Sequence, residues 1–428
     1  MNWSAPKKRE AQAMKILLYS ANFAPEPTGI GKYSGEMAEW LVAQGHEVRV
    51  VCAPPYYPSW RVADGYRWPP YRKETWRGAT IWRAPLWVPG KPGGLKRVLH
   101  LASFALTSLP CMLAQWSWRP DVVMTVAPSF MCSPMGWLTA RECGATAWIH
   151  IQDFEVDVAF TMGLLKGRLP RKVVTGLESW MLRRFDVAST ISQRMLDVLE
   201  NKGVEAERRR LFPNWVDIDK IRPLQHTSSY RQALGIPDDA VVSLFSGTLG
   251  RKQGLLVIPD AARRLMHRQD MHFVICGDGV MKAELTAACK GLSNVHLLPL
   301  QDVSKLPELL GLADIHLLPQ SPEAEDLVLP SKLTGMLSSG RAIVATCNAQ
   351  SEIANVVSQC GVVVPPEDAE ALANALVALA DTPEHRRTMG EAARRFAEDQ
   401  IGRDAVLGKV VQDMAFFRDG PSPYSART

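Results

Sequence analysis

The stretch VVSLFSGTLGRKQG, residues 241–254, decides the fold. Its first five residues are mostly apolar, the composition of a short strand buried on both faces. Glycines follow at 247, 250 and 254, where the backbone turns tightly or meets a neighbour closely. The same cadence of apolar strand, turn and helical segment recurs on both sides of it. Downstream, residues 272–275, 295–298, 315–318 and 342–345 read as strands, with a helical stretch at 306–312 joining two of them. Upstream, residues 14–20, 48–51, 122–125, 147–149 and 187–190 read the same way. Ile30, Tyr33, Met37 and Leu41 recur at spacings of three and four, an amphipathic helix that Gly45 ends as a left-handed cap. Such alternation predicts an α/β fold with parallel sheets covered by helices on both faces.

The run Phe212-Pro213-Asn214-Trp215 divides the pattern into two sets. The expected organisation is a polar tail over 1–13, one Rossmann-like domain over 14–215, a second over 216–400, and a C-terminal helix and tail over 401–428. A charged helical pattern over 383–417 is expected to return to the first domain. Ligands of doubly wound sheets lie beyond the carboxyl ends of the strands, so a central cleft between the domains is the expected site.

Composition narrows the class. The 428 residues are 46% hydrophobic and 22% charged, which suits packed cores rather than disorder. A net charge of +5 does not suggest a nucleic-acid protein, but it permits contact with an anionic membrane or a phosphorylated ligand. The eight cysteines are scattered without a CxxC or a His/Cys cluster, which predicts a reduced, cytoplasmic protein with no structural metal. The first thirteen residues lack the apolar run of a signal peptide.

Four strand-to-helix turns carry chemistry. In the first, Gly29 and Gly31 let the backbone approach a ligand and bare helix-start amides, with Lys32 and Tyr33 following; a plain tight turn is the alternative. No third glycine follows at dinucleotide-fingerprint spacing, which argues against NAD. The second is His150-Ile151-Gln152-Asp153 at a strand's end, where Asp153 faces the cleft or caps a helix. Glu155 and Asp157 beyond it read as a solvated helix start rather than a metal pair. The third is the opening stretch, whose Gly247, Thr248, Arg251 and Lys252 suit a diphosphate, a solvated basic turn being the bland reading. The fourth is Pro330-Ser331-Lys332, with Pro330 in a first helical turn, Ser331 offering a hydroxyl and Lys332 a point charge. Leu333, Met336 and Leu337 bury that helix's face.

In order along the chain, ANFAPEPTGIGKYSGEMAEWL (21–41), HIQDFEVD (150–157), FSGTLGRKQGL (245–255), ICGDG (275–279) and DLVLPSKLTGMLSSG (326–340) resemble the retaining glycosyltransferases of family four. The nearest branch is the one that serves colanic-acid-type exopolysaccharides. The resemblance covers residues 14 to about 400 and implies the GT-B fold, with two Rossmann-like domains facing a cleft. It implies that Gly29 and Gly31 lie near the donor phosphate and acceptor, with Tyr33 and His150 expected beside them, and that Asp153 holds the position facing the sugar. It places Gly247 at the start of the donor diphosphate loop, and Leu298 to Leu300 in the loop whose backbone contacts the base. The chain departs from the family at Thr248 and Gln253, where an arginine and a lysine are common, and at Leu327 and Gly335, where two glutamates are common. Ser331 with Lys332 replaces part of that machinery, and Glu325 and Asp326 are candidates for the lost hydroxyl contact.

The resemblance implies a GDP- or UDP-linked hexose donor, fucose among the candidates, a lipid-diphosphate-linked glycan acceptor, retention, and no cofactor or metal. The alternatives are a GT-B-fold nucleotide-sugar epimerase and an inactive sugar-nucleotide binding protein. Residues 91–118 run from basic to apolar, and read either as a buried helix or as one docking on the inner membrane surface. The Trp/Tyr-rich segment 54–87 reads as a loop.

Overall fold

The computed structural model describes residues 13–90, 94–128, 130–154, 168–323 and 330–420. The chain forms two compact units, Met1–Pro213 with Leu407–Thr428, and Asn214–Val406.

The N-terminal unit is built on an eight-stranded sheet. Its strands are β1 (Lys15–Ser20), β2 (Glu47–Cys52), β3 (Arg72–Trp76), β4 (Ala79–Arg83), β5 (Val122–Ala127), β6 (Thr146–Ile151), β7 (Val187–Thr190) and β8 (Arg209–Leu211). Their order is β3-β4-β2-β1-β5-β6-β7-β8. All pairs are parallel except β3 with β4. The central strands β5 and β6 are buried along their whole length, so they read as largely apolar runs. Strand order reverses between β1 and β5, which makes the carboxyl ends of these two strands the crevice of the unit.

The segment expected as a loop contains the β3–β4 hairpin. Arg77 and Gly78 both take positive φ, 44° and 89°, as a type I′ turn requires. The sequence there is Arg-Gly rather than the usual Asn-Gly, so the turn carries no strong local signature. The helix from residue 29 runs Gly29–Ala43, and Gly45 behind it has φ 87°. The apolar stretch after residue 91 divides into helices Gly94–Thr107 and Leu109–Leu113, and among the described residues no helix is long and apolar enough to cross a membrane. At the division the Ser108 hydroxyl meets the Tyr19 hydroxyl at 2.6 Å.

The C-terminal unit has a six-stranded, wholly parallel sheet. It comprises β9 (Val241–Ser246), β10 (Met271–Cys276), β11 (Val295–Leu298), β12 (Ile315–Pro319), β13 (Ala342–Thr346) and β14 (Gly361–Val364). The order β11-β10-β9-β12-β13-β14 is that of a dinucleotide-binding sheet, with its crevice between β9 and β12. Strand alternation divides the core. Phe245, Phe273, Ile275 and Leu317 pack under the helices Val257–Arg264 and Ala369–Asp381, while Val242, Leu244 and Val274 face Leu309 and Leu312.

The charged helical pattern at the chain's end is two helices, Pro383–Phe396 and Arg403–Asp419. They are separated by a π-helical turn and Gly402, where Val216 pairs with the backbone on both sides: its N–H donates to Ile401 and its carbonyl accepts from Arg403. Within the N-terminal unit, Arg210 pairs with Asp413 at 3.2 Å and covers the Phe417 ring.

Candidate functional site

In the C-terminal unit the carboxyl ends of β9, β10 and β12 converge on the glycine turn. Gly247 has φ +143°, and its N–H donates to the Cys276 carbonyl at 3.0 Å. A side chain on Gly277 would stand 1.9 Å from the Gly247 carbonyl oxygen, and one on Gly279 would stand 2.4 Å from that of Leu249. The loops after β9 and β10 therefore pack backbone on backbone, which only glycine allows. Gly254, at φ +57°, packs against the Gln320 carbonyl behind β12, where a side chain would stand 2.9 Å from its oxygen, and Ser321 N–H donates to the Lys252 carbonyl at 2.9 Å. These contacts hold the turn rigid with Thr248, Arg251 and Lys252 exposed.

The helix Ser331–Ser338 begins beside this turn. Pro330 is its extended N-cap (φ −61°, ψ 134°), so Ser331 rather than the proline opens the helix. That corrects the expected placement of Pro330, whose ring is tolerated outside the helix as readily as in its first turn. Leu333, Met336 and Leu337 are fully buried against Ile343 and Ala345, which fixes the helix to the sheet. Lys332 then reaches to the end of β9: its Cδ lies 3.6 Å from the point where a side chain on Gly247 would begin, and its Nζ is 4.7 Å from the Phe245 ring centroid. An ammonium and helix-start amides thus stand beside a glycine turn, the elements from which anion sites are built. Leu298 closes β11 with its carbonyl accepting from Gly277 N–H, and Leu300 two residues on is exposed. Glu325 and Asp326 lie outside the described residues, as do Glu155 and Asp157, residues 1–12 of the expected tail over 1–13, and the last residues from 421.

In the N-terminal unit a cavity of about 210 Å³ opens at the ends of β1 and β5. Asn22, Gly29, Tyr56, Trp60, His100 and Asp153 are among its lining residues. Asp153 is solvent-accessible at its rim, yet the surrounding groups desolvate the carboxyl enough to raise its pKa, with the nearby Arg97 guanidinium acting the other way. Gly29 needs its left-handed φ of +60° to enter the helix. Gly31 serves a different purpose from close approach to a ligand: a side chain there would collide with Glu26.

Glu26 and His100 were not singled out from sequence. Glu26 is buried and accepts hydrogen bonds from the Tyr56 and Tyr57 N–H groups, each at 3.0 Å, and from Asn22 Nδ2 at 2.9 Å. It carries the Tyr56–Tyr57 turn into the cavity wall. Burial raises its pKa, and those bonds with Arg83 oppose the shift. Arg83, buried in turn, donates to the carbonyls of Ala53 and Ala24 at 2.8 and 2.6 Å and pairs with Glu74. No spacing rule marks these contacts, which join residues up to 59 positions apart.

His150 is not brought to the cavity. It lies inside β6, its ring 4.3 Å from that of Phe212 and its Nδ1 3.0 Å from Ser189 Oγ, and burial lowers its pKa to about 3. Its expected place near the acceptor is corrected, because β6 extends one residue beyond it and both faces of that strand are covered. Tyr33 is half-buried on the helix behind Gly31, beneath the Lys32 ammonium, and does not line the cavity. Among the described residues no cluster of three or more His, Cys, Asp or Glu is placed to hold a metal ion.

Two family models match the chain: the glycosyl transferase 4-like domain over residues 28–215 and glycosyl transferases group 1 over residues 240–382. The chain is 41% identical over 411 residues to WcaI of Escherichia coli (strain K12), a glycosyl transferase assigned by name to colanic acid biosynthesis; the match covers 94% of this chain and all of that protein. Sucrose-phosphate synthase from Thermosynechococcus elongatus is similar in structure, with a TM-score of 0.65 at 16% identity over 93% of this chain and 98% of that one. HepE of Anabaena, solved in complex with UDP, has a TM-score of 0.65 at 15% identity over 94% of this chain and all of that one. At such identities these two share the fold.

Proposed function

Because this chain belongs to the glycosyltransferases of family four, with the GT-B fold, we propose that it moves a hexose from a nucleotide-diphosphate sugar to a lipid-diphosphate-linked glycan, with retention, in building an exopolysaccharide of the colanic-acid type. The name of the Escherichia coli relative supports the pathway, and the UDP held by the Anabaena protein supports a nucleotide donor, GDP- or UDP-linked here.

The observation that carries the reading is Lys332 beside Gly247 at the crevice of the C-terminal sheet. In the reaction the bond from the sugar C1 to the diphosphate oxygen breaks as C1 bonds to the acceptor oxygen. The acceptor proton passes to the departing diphosphate, whose electron pair stays with it. Positive charge grows on the sugar and negative charge on the leaving group. Lys332, the amides opening its helix, and Arg251 and Lys252 on the glycine turn neutralise that growing charge more in the transition state than in the ground state. Ser331 with Lys332 takes over part of the work of the two glutamates that Leu327 and Gly335 replace. The resemblance assigns Asp153 a role at the sugar.

The acceptor's lipid calls for a protein held at the cytoplasmic face of a membrane. Val98, Leu99 and Leu106 are exposed on the helix Gly94–Thr107, with Lys96 on its first turns, and form the docking surface. The defining experiment offers GDP- and UDP-hexoses with and without an undecaprenyl-diphosphate-linked glycan, and measures nucleotide release and the glycan's mass. Acceptor-dependent release with the mass of one added hexose is expected. A changed sugar in the nucleotide pool with no acceptor present would point to epimerisation instead. Flotation with anionic vesicles tests the docking helix, and protein left in the pellet at low salt would refute it.

A further inference from the structure

We propose that His100 reads a hydroxyl group of the acceptor sugar, accepting its hydrogen bond at Nε2 while Tyr56 and Trp60 hold the sugar ring. This rests on the acceptor reading of the N-terminal unit given above.

His100 is 1% exposed, and it lines the cavity at the ends of β1 and β5. Its Nδ1 lies 2.6 Å from the Trp87 carbonyl oxygen. A carbonyl can only accept, so Nδ1 carries the hydrogen. In the neutral ring Nε2 is then a bare lone pair. That atom is buried and meets no hydrogen-bond partner among the described residues. Burial, with Arg97 nearby, lowers the ring's pKa and keeps it neutral. A buried acceptor without a donor is costly, and such atoms are kept for a ligand or water that completes them.

The surroundings define the ligand class. Tyr56 stands edge-on to the His100 ring at 4.8 Å and Trp60 is tilted at 5.4 Å. Trp60 takes φ +51°, a left-handed conformation that a non-glycine residue adopts only when its surroundings impose it. Glu26 fixes the turn that carries Tyr56. Aromatic faces beside a lone-pair acceptor suit a ring with an apolar face and hydroxyl donors, which is a sugar. A phosphate or carboxylate offers Nε2 only further lone pairs, so an anion does not fill this position.

The test uses the full chain, labelled with 15N-histidine, and methyl glycosides of glucose, galactose, mannose and L-fucose as probes, with no nucleotide sugar present. One glycoside is expected to displace the Nε2 resonance of His100 saturably, and one of its monodeoxy analogues is expected not to. His100→Asn keeps a donor for the Trp87 carbonyl but deletes Nε2. It should weaken the parent glycoside about tenfold and leave that deoxy analogue unchanged. An equal loss for the parent and every analogue would reduce His100 to a packing role, and no saturable displacement by any glycoside would overturn the proposal. Should the variant fail to fold, the parent and deoxy comparison on the native protein decides alone. Because no transfer is measured, glycoside binding in a protein without turnover would sink the transferase reading and leave His100 standing, and turnover without such binding would do the reverse.

Discussion

Lys332 Nζ rests 4.7 Å from the centroid of the Phe245 ring, so a side chain in the first turn of one helix is held over the end of the strand that leads into the glycine turn. The ring face attracts the ammonium and fixes where its charge stands. Lys332→Ala is expected to lower turnover about a hundredfold or more, the usual loss for one contact to a developing negative charge. Its thermal unfolding should stay near that of the native protein. A coupled nucleotide-release assay giving near-native turnover would remove Lys332 from the mechanism.

Gly277 and Gly247 set a second expectation. An added methyl on Gly277 meets the Gly247 carbonyl oxygen at 1.9 Å, and the two loops must part. Gly277→Ala should cost about 1–3 kcal/mol of stability and weaken nucleotide binding. Gly408→Ala is the control, since nothing lies within 4 Å of the added atom and its φ is ordinary. Equal melting temperatures for the two variants would contradict the close packing.

Removing the Glu26 carboxylate strands the N–H groups of Tyr56 and Tyr57. Glu26→Ala should cost roughly 2 kcal/mol or more in chemical denaturation and raise the acceptor KM more than the donor KM. The pH dependence has a definite sign. Burial raises the folded pKa of Glu26 above its unfolded value, so its protonated form contributes stability at low pH, and that contribution is lost as pH rises through the folded value. The stability of the native protein relative to Glu26→Gln should therefore fall across that window. A constant difference would show that Glu26 does not titrate there.

Two buried histidines act in the opposite direction. His150 and His316 have pKa values lowered from 6.5 to about 3 by burial. The unfolded chain takes up a proton at each near pH 6.5, while the folded chain stays neutral to about pH 3. Stability is thus lost as pH falls through that interval, by about 1.4 kcal/mol per pH unit for each proton. His316 bonds Ser339 Oγ at 2.9 Å, a contact an amide can keep. Denaturant titrations from pH 7 to 5 should show His316→Gln with a slope smaller by one proton, and an unchanged slope would refute its titration.

Much of this architecture was readable from the chain alone. Fully buried parallel strands such as β5, β9 and β13 need continuous apolar runs, and each was expected within a residue or two of its observed ends. The turn at Gly247 and the helix at Lys332 were legible because glycines and a lone basic residue at strand ends have few other uses. Short or polar edge strands were not legible: β8 is Arg209-Arg210-Leu211, and β3, with three charged residues in five, alternates half-buried with exposed positions. Neither bears enough apolar surface to show a period.

What the sequence determined by itself is the α/β class, the two repeated strand–helix sets and the glycine turn of the second, because each follows from local composition and spacing. The tertiary structure alone decided which polar residues reach the cavity. His150 and Asp153 are three positions apart, yet one is sealed within β6 against Phe212 while the other stands at the rim. His100, on a distant helix, joins Tyr56 there through Trp87 and Glu26. Burial and hydrogen-bond completion are properties of packed neighbours, and no one-dimensional pattern carries them.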